Sequence, residues 1–214
     1  MPETGEAGDA AGRGGDRSVE ATRLAAHKKN ATRLGAHIAF VDESGYLLIP
    51  PVRRTWGPRG QTPRIRYSYK HDKISAISAV TVSPTRRRLG LYCAFHRKNI
   101  QQVEVCQFLR HLLRHLRGHI IVIWDNGKPH KGEPIREFCR RFPRVHLERF
   151  PAYAPELNPD EGVWSHMDNA LANGRPDDLD ELSVALNRTL RQLRRSQPKL
   201  RWCVHQSELP PFLP

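Results

Sequence analysis

Short apolar runs bounded by polar or turn-forming residues dominate the first half of the chain and predict β-strands. Three such runs fall at residues 37–41, 73–82 and 89–95. The first run stops at Asp42, and Ser44-Gly45 then supplies turn chemistry before a short apolar stretch. The second and third runs alternate and are rich in β-branched side chains. The pattern predicts three consecutive strands, with a carboxylate at the end of the first.

Helical periodicity alternates with further strand-like runs in the second half. Residues 101–117 place Leu109 and Leu112 on one side of a helix and Arg110 and Arg114 on the other. Two more strands are predicted at residues 120–124 and 145–150, and three more helices at residues 133–142, 159–172 and 179–194. This order predicts an α/β domain with five strands.

Length and composition indicate one domain preceded by a tail. The 214 residues suffice for a domain with a substantial core, which we place at residues 34–214. Residues 1–33 are rich in Gly, Ala and Glu with few large apolar side chains, so we predict that they are disordered. The four cysteines form no C-x-x-C pair, which argues against a zinc ribbon or a disulfide framework. The longest apolar run, residues 120–124, is far shorter than the roughly 20 residues of a membrane-spanning helix.

The charge balance favours a polyanionic partner. Lys and Arg number 35 against 22 Asp and Glu, a formal net charge of +13 that points to nucleic acid. The basic run at residues 53–70 also holds aromatic side chains, a mixture suited to gripping DNA; a solvent-exposed β-hairpin is the alternative. Its candidate DNA contacts are Arg53, Arg54, Arg59, Arg64, Arg66 and Lys70. We expect a cytoplasmic, nucleoid-associated protein without membrane attachment.

Two acids directly follow apolar strands, and a third begins a helix. Asp42 and Asp125 end the first and fourth strands, and Glu161 lies at the start of the helix after the fifth. If the first and fourth strands are neighbours, the three carboxylates converge, because sites in α/β sheets form where strands end. Carboxylate oxygens suit hard cations, and two Mg²⁺ or Mn²⁺ ions about 3.5–4 Å apart support in-line phosphoryl transfer. The basic surface would then hold the nucleic acid that is cut.

Each acid also has a local explanation. Asp42 and Asp125 precede turn residues, which an Asp side chain caps. Asn158 and Glu161 form a variant of the capping box. A zinc site is a further alternative for three histidines at four-residue spacing: His111, His115 and His119. Neighbouring arginines and the lack of a nearby acid or Cys argue against zinc.

Four segments, in their order along the chain, carry a family resemblance. They are Phe40-Val41-Asp42-Glu43-Ser44-Gly45, Arg54-Thr55-Trp56-Gly57-Pro58-Arg59-Gly60-Gln61-Thr62-Pro63, Trp124-Asp125-Asn126 with His130, and the proline-rich stretch from Tyr153 to Trp164. These segments resemble the catalytic domain of DDE transposases in the mariner-like superfamily, which includes bacterial insertion-sequence transposases. The 35 residues between Asp125 and Glu161 are also similar to the spacing in that family. The resemblance covers about residues 37–170.

The resemblance implies a ribonuclease-H-like fold, with a five-stranded mixed sheet flanked by helices. It also implies metal-dependent cleavage of DNA at transposon ends and strand transfer into target DNA. The implied catalytic metal ligands are Asp42, Asp125 and Glu161, with two Mg²⁺ or Mn²⁺ ions as cofactor. The implied supporting residues are Glu43, Asn126 and His130; His130 would donate to a phosphate, orient a water or simply pack. Asp160 stands where the family usually has an apolar residue, and the N-P-x-E register assigns the metal-facing role to Glu161.

Family members carry helix-turn-helix modules ahead of the catalytic domain, and residues 1–36 have no pattern that would form one. Three explanations stay open: the chain is the downstream half of a split or frameshifted element, a decayed copy, or the partner of a separately encoded N-terminal helix-turn-helix protein. The resemblance also implies a homo-oligomer assembled on DNA. The alternative function is a catalytically inactive or decayed DNA-binding remnant of a transposase.

Overall fold

The structure, a computed structural model, describes residues 29–49, 52–61, 72–151, 154–174 and 176–209. Its strands are β1 (His37–Leu47), β2 (Lys73–Val82), β3 (Leu89–His96), β4 (Ile120–Trp124) and β5 (Val145–Arg149). Its main helices are α1 (Gln102–His115), α2 (Glu133–Arg141), α3 (Asp160–Leu171), α4 (Leu179–Arg194) and α5 (Gln197–Gln206). None of the helices in these ranges is long and apolar enough to cross a bilayer.

The five strands form one mixed sheet in the order β3-β2-β1-β4-β5. β2 pairs with β1 and β3 in antiparallel register, whereas β4 pairs with β1 and β5 in parallel register. The predicted mixed sheet is confirmed, and β1 and β4 are neighbours as the proposed convergence of acids requires.

The predicted end of the first strand at Asp42 is wrong. β1 continues to Leu47, because β2 pairs with it from Ile38 to Leu47 and places Ser78 opposite Asp42. Ser44-Gly45 is therefore part of a strand rather than a turn. The parallel pairing with β4, however, begins at His37 and Ile120 and ends at Phe40 and Ile123. Asp42 thus lies just beyond the end of its parallel partner, which keeps it at the edge where β4 also stops.

Helices cover both faces of the sheet, because successive strand residues point to opposite sides. In β1, Ile38 and Phe40 belong to the core that packs under α3, α4 and α5. Ala39 and Val41 belong to the core under α1 and α2. Asp42 in β1 and Asp125 directly after β4 therefore sit on a sheet that is fixed from both sides.

Two further expectations need correction. The pattern predicts no helix after residue 194, yet α5 is present. Its start is stabilised by Ser196, whose side chain accepts from the backbone N–H of Lys199, and by a Pro in the first turn. Residues 29–34 are helical and Ala31 is buried in the core, so the folded part begins by residue 29 rather than residue 34. The other predicted helices agree with the structure to within two residues at either end.

Candidate active site

The three acids that the sequence singles out line one cavity. Asp42, Asp125 and Glu161 lie on the walls of a cavity of about 400 Å³. The cavity opens at the edge of the sheet where β4 and the parallel part of β1 end. Further lining comes from two amides and from apolar side chains that follow β5: Asn126, Asn158, Phe150, Pro151, Ala154 and Pro155. The fold therefore brings together carboxylates from three separate segments of the chain.

Asp42 is held by an indole. Trp164 on α3 donates from Nε1 to Oδ2 of Asp42 at 2.9 Å. Trp164 is itself buried and lies edge-on to the ring of Tyr46. Burial, helped by the charges of Glu161 and Glu43 and opposed by the Trp164 hydrogen bond, raises the pKa of Asp42 to about 7. A nearby cation would reverse this, because it favours the carboxylate.

Asp125 follows β4 directly and makes two contacts. Its Oδ1 accepts from the backbone N–H of Gly127 at 2.7 Å, as a turn-capping Asp does. The same oxygen lies 2.7 Å from Nδ1 of His130. The local turn explanation is thus correct for this residue, and the carboxylate nevertheless remains at the cavity wall, with 59% of the side chain exposed.

His130 connects two acids. Its ring stacks on Trp124 with centroids 4.3 Å apart and an interplanar angle of 3°. Nε2 lies 2.8 Å from Oε1 of Glu43, so the two ring nitrogens face two carboxylates. Burial lowers the pKa of His130, but the Glu43 hydrogen bond and the charges of Glu43 and Asp125 outweigh it and leave the pKa raised. Both ring nitrogens are engaged and the side chain is fully buried, so His130 contacts Asp125 and has no ring nitrogen free for a phosphate.

The adjacent acids Asp160 and Glu161 occupy different environments. Glu161 lines the cavity. Asp160 is fully buried, where it accepts hydrogen bonds from Ser78 Oγ and, at 3.2 Å, from the backbone N–H of Val80. Burial raises the pKa of Asp160 well above its ordinary value. Asp160 therefore ties α3 to β2 inside the core, and Glu161 is the acid that faces the cavity.

The carboxylate oxygens at the cavity suit a hard divalent cation whose coordination shell the substrate completes. No three acidic, His or Cys side chains of the described ranges lie close enough together to enclose a metal by themselves. Mg²⁺ in phosphoryl-transfer sites takes one or two carboxylates and fills the remaining positions with waters and phosphate oxygens. Burial and the neighbouring charges of Glu161 and Glu43 raise the pKa of Asp42, and a bound cation would oppose both effects by favouring the carboxylate. Zinc is not favoured: His119 pairs with His146 at 3.0 Å, whereas the rings of His111 and His115 contact each other.

The predicted DNA contacts fall partly within the described residues. Arg53, Arg54 and Arg59 are exposed on the segment 52–61, which forms no strand and whose residues are all exposed. The segment is attached to the domain where the backbone N–H of Arg53 donates to Oδ1 of Asn173 at 3.0 Å. The other three candidates, Arg64, Arg66 and Lys70, lie outside the described residues.

Fold and site together give an acid-lined cavity at the edge of a ribonuclease-H-like sheet. Sequence comparison specifies the family, since residues 37–183 match the family described as DDE superfamily endonuclease. The chain belongs to that family, and the resemblance inferred from its motifs is confirmed.

Individual relatives agree. The Tc1 transposase of Caenorhabditis elegans is 23% identical over 131 residues, which are 61% of this chain and 46% of that protein, so this chain spans less than half of its relative. The structure of a pre-cleavage Mos1 transpososome superposes with a TM-score of 0.61 at 19% identity and covers 97% of this chain and 67% of that one. The isolated catalytic domain of Mos1 mariner transposase gives a TM-score of 0.52 at 15% identity, with coverage of 94% and 96%. These likenesses confirm the predicted fold.

Proposed function

We propose that this chain is the catalytic domain of a transposase that cleaves DNA at transposon ends and transfers the strand into target DNA with divalent metal ions. The observation that carries the proposal is the convergence of Asp42, Asp125 and Glu161 on one cavity in a member of the DDE endonuclease family. The reaction needs an all-oxygen cation site open to a DNA backbone, and the cavity has that chemistry.

Asp42, Asp125 and Glu161 would hold Mg²⁺ or Mn²⁺, and we propose two ions. When bound, such ions supply positive charge at the scissile phosphate and increase the acidity of the attacking hydroxyl or water. Trp164 orients the carboxylate of Asp42, and His130, held by Glu43, orients that of Asp125. Mos1 structures with Mn and with Mg support the choice of metal.

The partners of the proposed enzyme are transposon-end and target DNA. Support comes from the Mos1 structures, which include a paired-end complex with the left transposon end and a strand transfer complex. We further propose a homo-oligomer on paired ends, a separately encoded helix-turn-helix protein that selects those ends, and association with the nucleoid.

Metal-dependent cleavage of labelled DNA that carries the repeats flanking the gene tests this function. The unsubstituted chain is expected to cut with Mg²⁺ or Mn²⁺ and not with EDTA, and Asp42→Ala is expected to abolish cutting. Asp180→Ala is the control, because Asp180 is an exposed acid that pairs with Arg97 outside the cavity. Equal cutting by the unsubstituted chain and Asp42→Ala would refute the assignment.

One observation favours a second candidate, a DNA-binding remnant without catalysis. The carboxylate oxygen of Asp125 that contacts Gly127 and His130 is already engaged, and the described side chains enclose no ready-made metal site. A remnant binds DNA in a salt-sensitive manner but gains no thermal stability from Mg²⁺ or Mn²⁺, whereas an enzyme that binds the ions in its folded state is stabilised by them. Thermal unfolding with and without the metals separates the two.

A further inference from the structure

A second cavity lies beside the acidic one, between β5 and α2. It measures about 730 Å³, and we call it the basic groove. Its apolar wall consists of Ile135, Val145 and Leu147. Four exposed cations line it: Lys131, Arg136, Arg140 and Arg149. Among the described residues that line this groove, none carries a carboxylate.

The groove keeps a positive balance after its internal ion pairs are considered. Glu133, on the first turn of α2, pairs with both Arg136 at 2.8 Å and Arg140. One carboxylate thus serves two guanidinium groups, each of which remains about 70% exposed. Lys131 and Arg149 add two further exposed cations. Such a strip attracts a polyanion.

Two contacts connect the basic groove to the acidic cavity. Arg149, which lines the groove, donates from Nη1 to Oδ1 of Asn126, which lines the cavity, at 3.0 Å. His130, which lines the groove, contacts the carboxylate of Asp125. A chain of phosphates that leaves the acidic cavity beside Asn126 therefore meets Arg149 first and the cations of α2 next.

We propose that the basic groove binds the backbone of the DNA that continues from the acidic cavity, so that β5 and α2 form a DNA-binding surface. This inference rests on the proposed function and specifies where its substrate runs. The chemistry fits a nucleic-acid backbone, because exposed cations contact phosphates while an apolar wall packs against sugars. The sequence did not indicate this surface: its cations are spread over residues 131–149 with acids between them, whereas the predicted contacts form a continuous basic run.

Equilibrium binding of labelled duplex DNA at a series of salt concentrations, in EDTA so that nothing is cut, tests the groove. The groove variant is Lys131→Ala with Arg149→Ala, and its matched control is Arg188→Ala with Arg191→Ala, two exposed arginines on α4, which covers the opposite face of the sheet. Removing one phosphate contact lowers the steepness of log K against log salt by about 0.9, so a decrease of about 2 is expected for the groove variant and a much smaller one for the control. Lys131→Ala alone, which leaves every described hydrogen bond in place, is expected to lower the slope by about 1.

The outcomes separate this inference from the function on which it rests. Equal slopes for the groove variant and its control, in a chain that still cuts DNA with metal, overturn the groove and leave the proposed function standing. If the unsubstituted chain does not cut DNA with metal but the slopes change as expected, the proposed function is refuted and the groove remains a DNA-binding surface. If the groove variant weakens binding of an acidic peptide but not of DNA, the groove binds an acidic protein and the inference is wrong.

Discussion

The indole of Trp164 donates a hydrogen bond of 2.9 Å to the carboxylate of Asp42, across 122 residues of sequence. This contact joins the first turns of α3 to the middle of β1, and it fixes one of the three acids relative to a second, Glu161, on the same helix as the indole. The site is therefore positioned by packing of α3 on the sheet as well as by strand pairing.

Trp164→Phe removes the donor while keeping an aromatic ring in place. Because the hydrogen bond lowers the pKa of Asp42, its loss is expected to raise that pKa further and to weaken binding of Mn²⁺ about 10- to 100-fold. Calorimetric titration with Mn²⁺ measures the change. Adding Asp42→Asn completes a double-mutant cycle, and strictly additive effects on metal affinity would show that the two residues act independently.

The raised pKa of Asp42 makes stability depend on pH. The folded chain holds its proton up to about pH 7, whereas the unfolded chain releases it near the ordinary value of 3.8. Between these values the folded state binds more protons, so the free energy of unfolding falls as pH rises and levels off above about 7. Asp42→Asn removes this loss. Between about pH 4 and pH 8, its free energy of unfolding is expected to rise by roughly 2–4 kcal/mol relative to that of the unsubstituted chain, as measured by urea unfolding without metal. A difference that stays constant across this range would contradict the environment described for Asp42.

Asp160 and Glu161 are adjacent but are expected to respond oppositely to amide substitution. Glu161→Gln removes a cavity carboxylate and is expected to abolish metal-dependent cutting with little loss of stability. Asp160→Asn keeps the buried hydrogen bonds, since an amide oxygen accepts from Val80 and an amide N–H donates to Ser78, so cutting is expected to persist.

Asp160→Ala provides the structural counterpart. It leaves the buried partners of Asp160 unsatisfied and is expected to cost about 1–3 kcal/mol in denaturant unfolding. If Asp160→Asn abolishes cutting in a normally folded chain while Glu161→Gln does not, the assignment of the two acids is reversed.

His130→Ala frees the carboxylate of Asp125 and leaves Glu43 without its ring partner. The expected result is a 10- to 100-fold loss of Mn²⁺ affinity, since groups that orient a metal ligand contribute about that much. Glu43→Gln is expected to have a smaller effect, because the amide oxygen still accepts from His130. His146→Ala, whose ring contacts His119 rather than a carboxylate, is the matched control. A lower melting temperature with unchanged metal affinity would limit His130 to packing.

The sequence predicted most of the framework, and the errors have physical causes. β4 was predicted to the residue, because a short strand of five buried apolar side chains has clear limits. The predicted first strand is shorter than β1, because Asp42 and Ser44-Gly45 resemble a turn when their antiparallel partner is unknown. α5 was missed because its Lys, Arg and Gln residues obscure the few positions that enter the core.

Within the site, sequence motifs indicated the acids but not what holds them. Asp42, Asp125 and Glu161 were identified from strand ends and from the family resemblance. The Trp164–Asp42 contact and the Glu43–His130 contact span 122 and 87 residues, and only the folded sheet brings these side chains together. The sequence likewise does not predict the basic groove, because the groove depends on the packing of α2 beside β5.

Anomalous scattering from crystals of this chain grown with Mn²⁺ decides whether the three acids share a divalent metal site. We expect a peak inside the acidic cavity, within about 2–2.5 Å of carboxylate oxygens from at least two of Asp42, Asp125 and Glu161, and we expect it to disappear in Asp42→Ala. A chain that cuts DNA with Mn²⁺ while its ion lies on other residues, or a peak that persists in Asp42→Ala, would contradict a shared site.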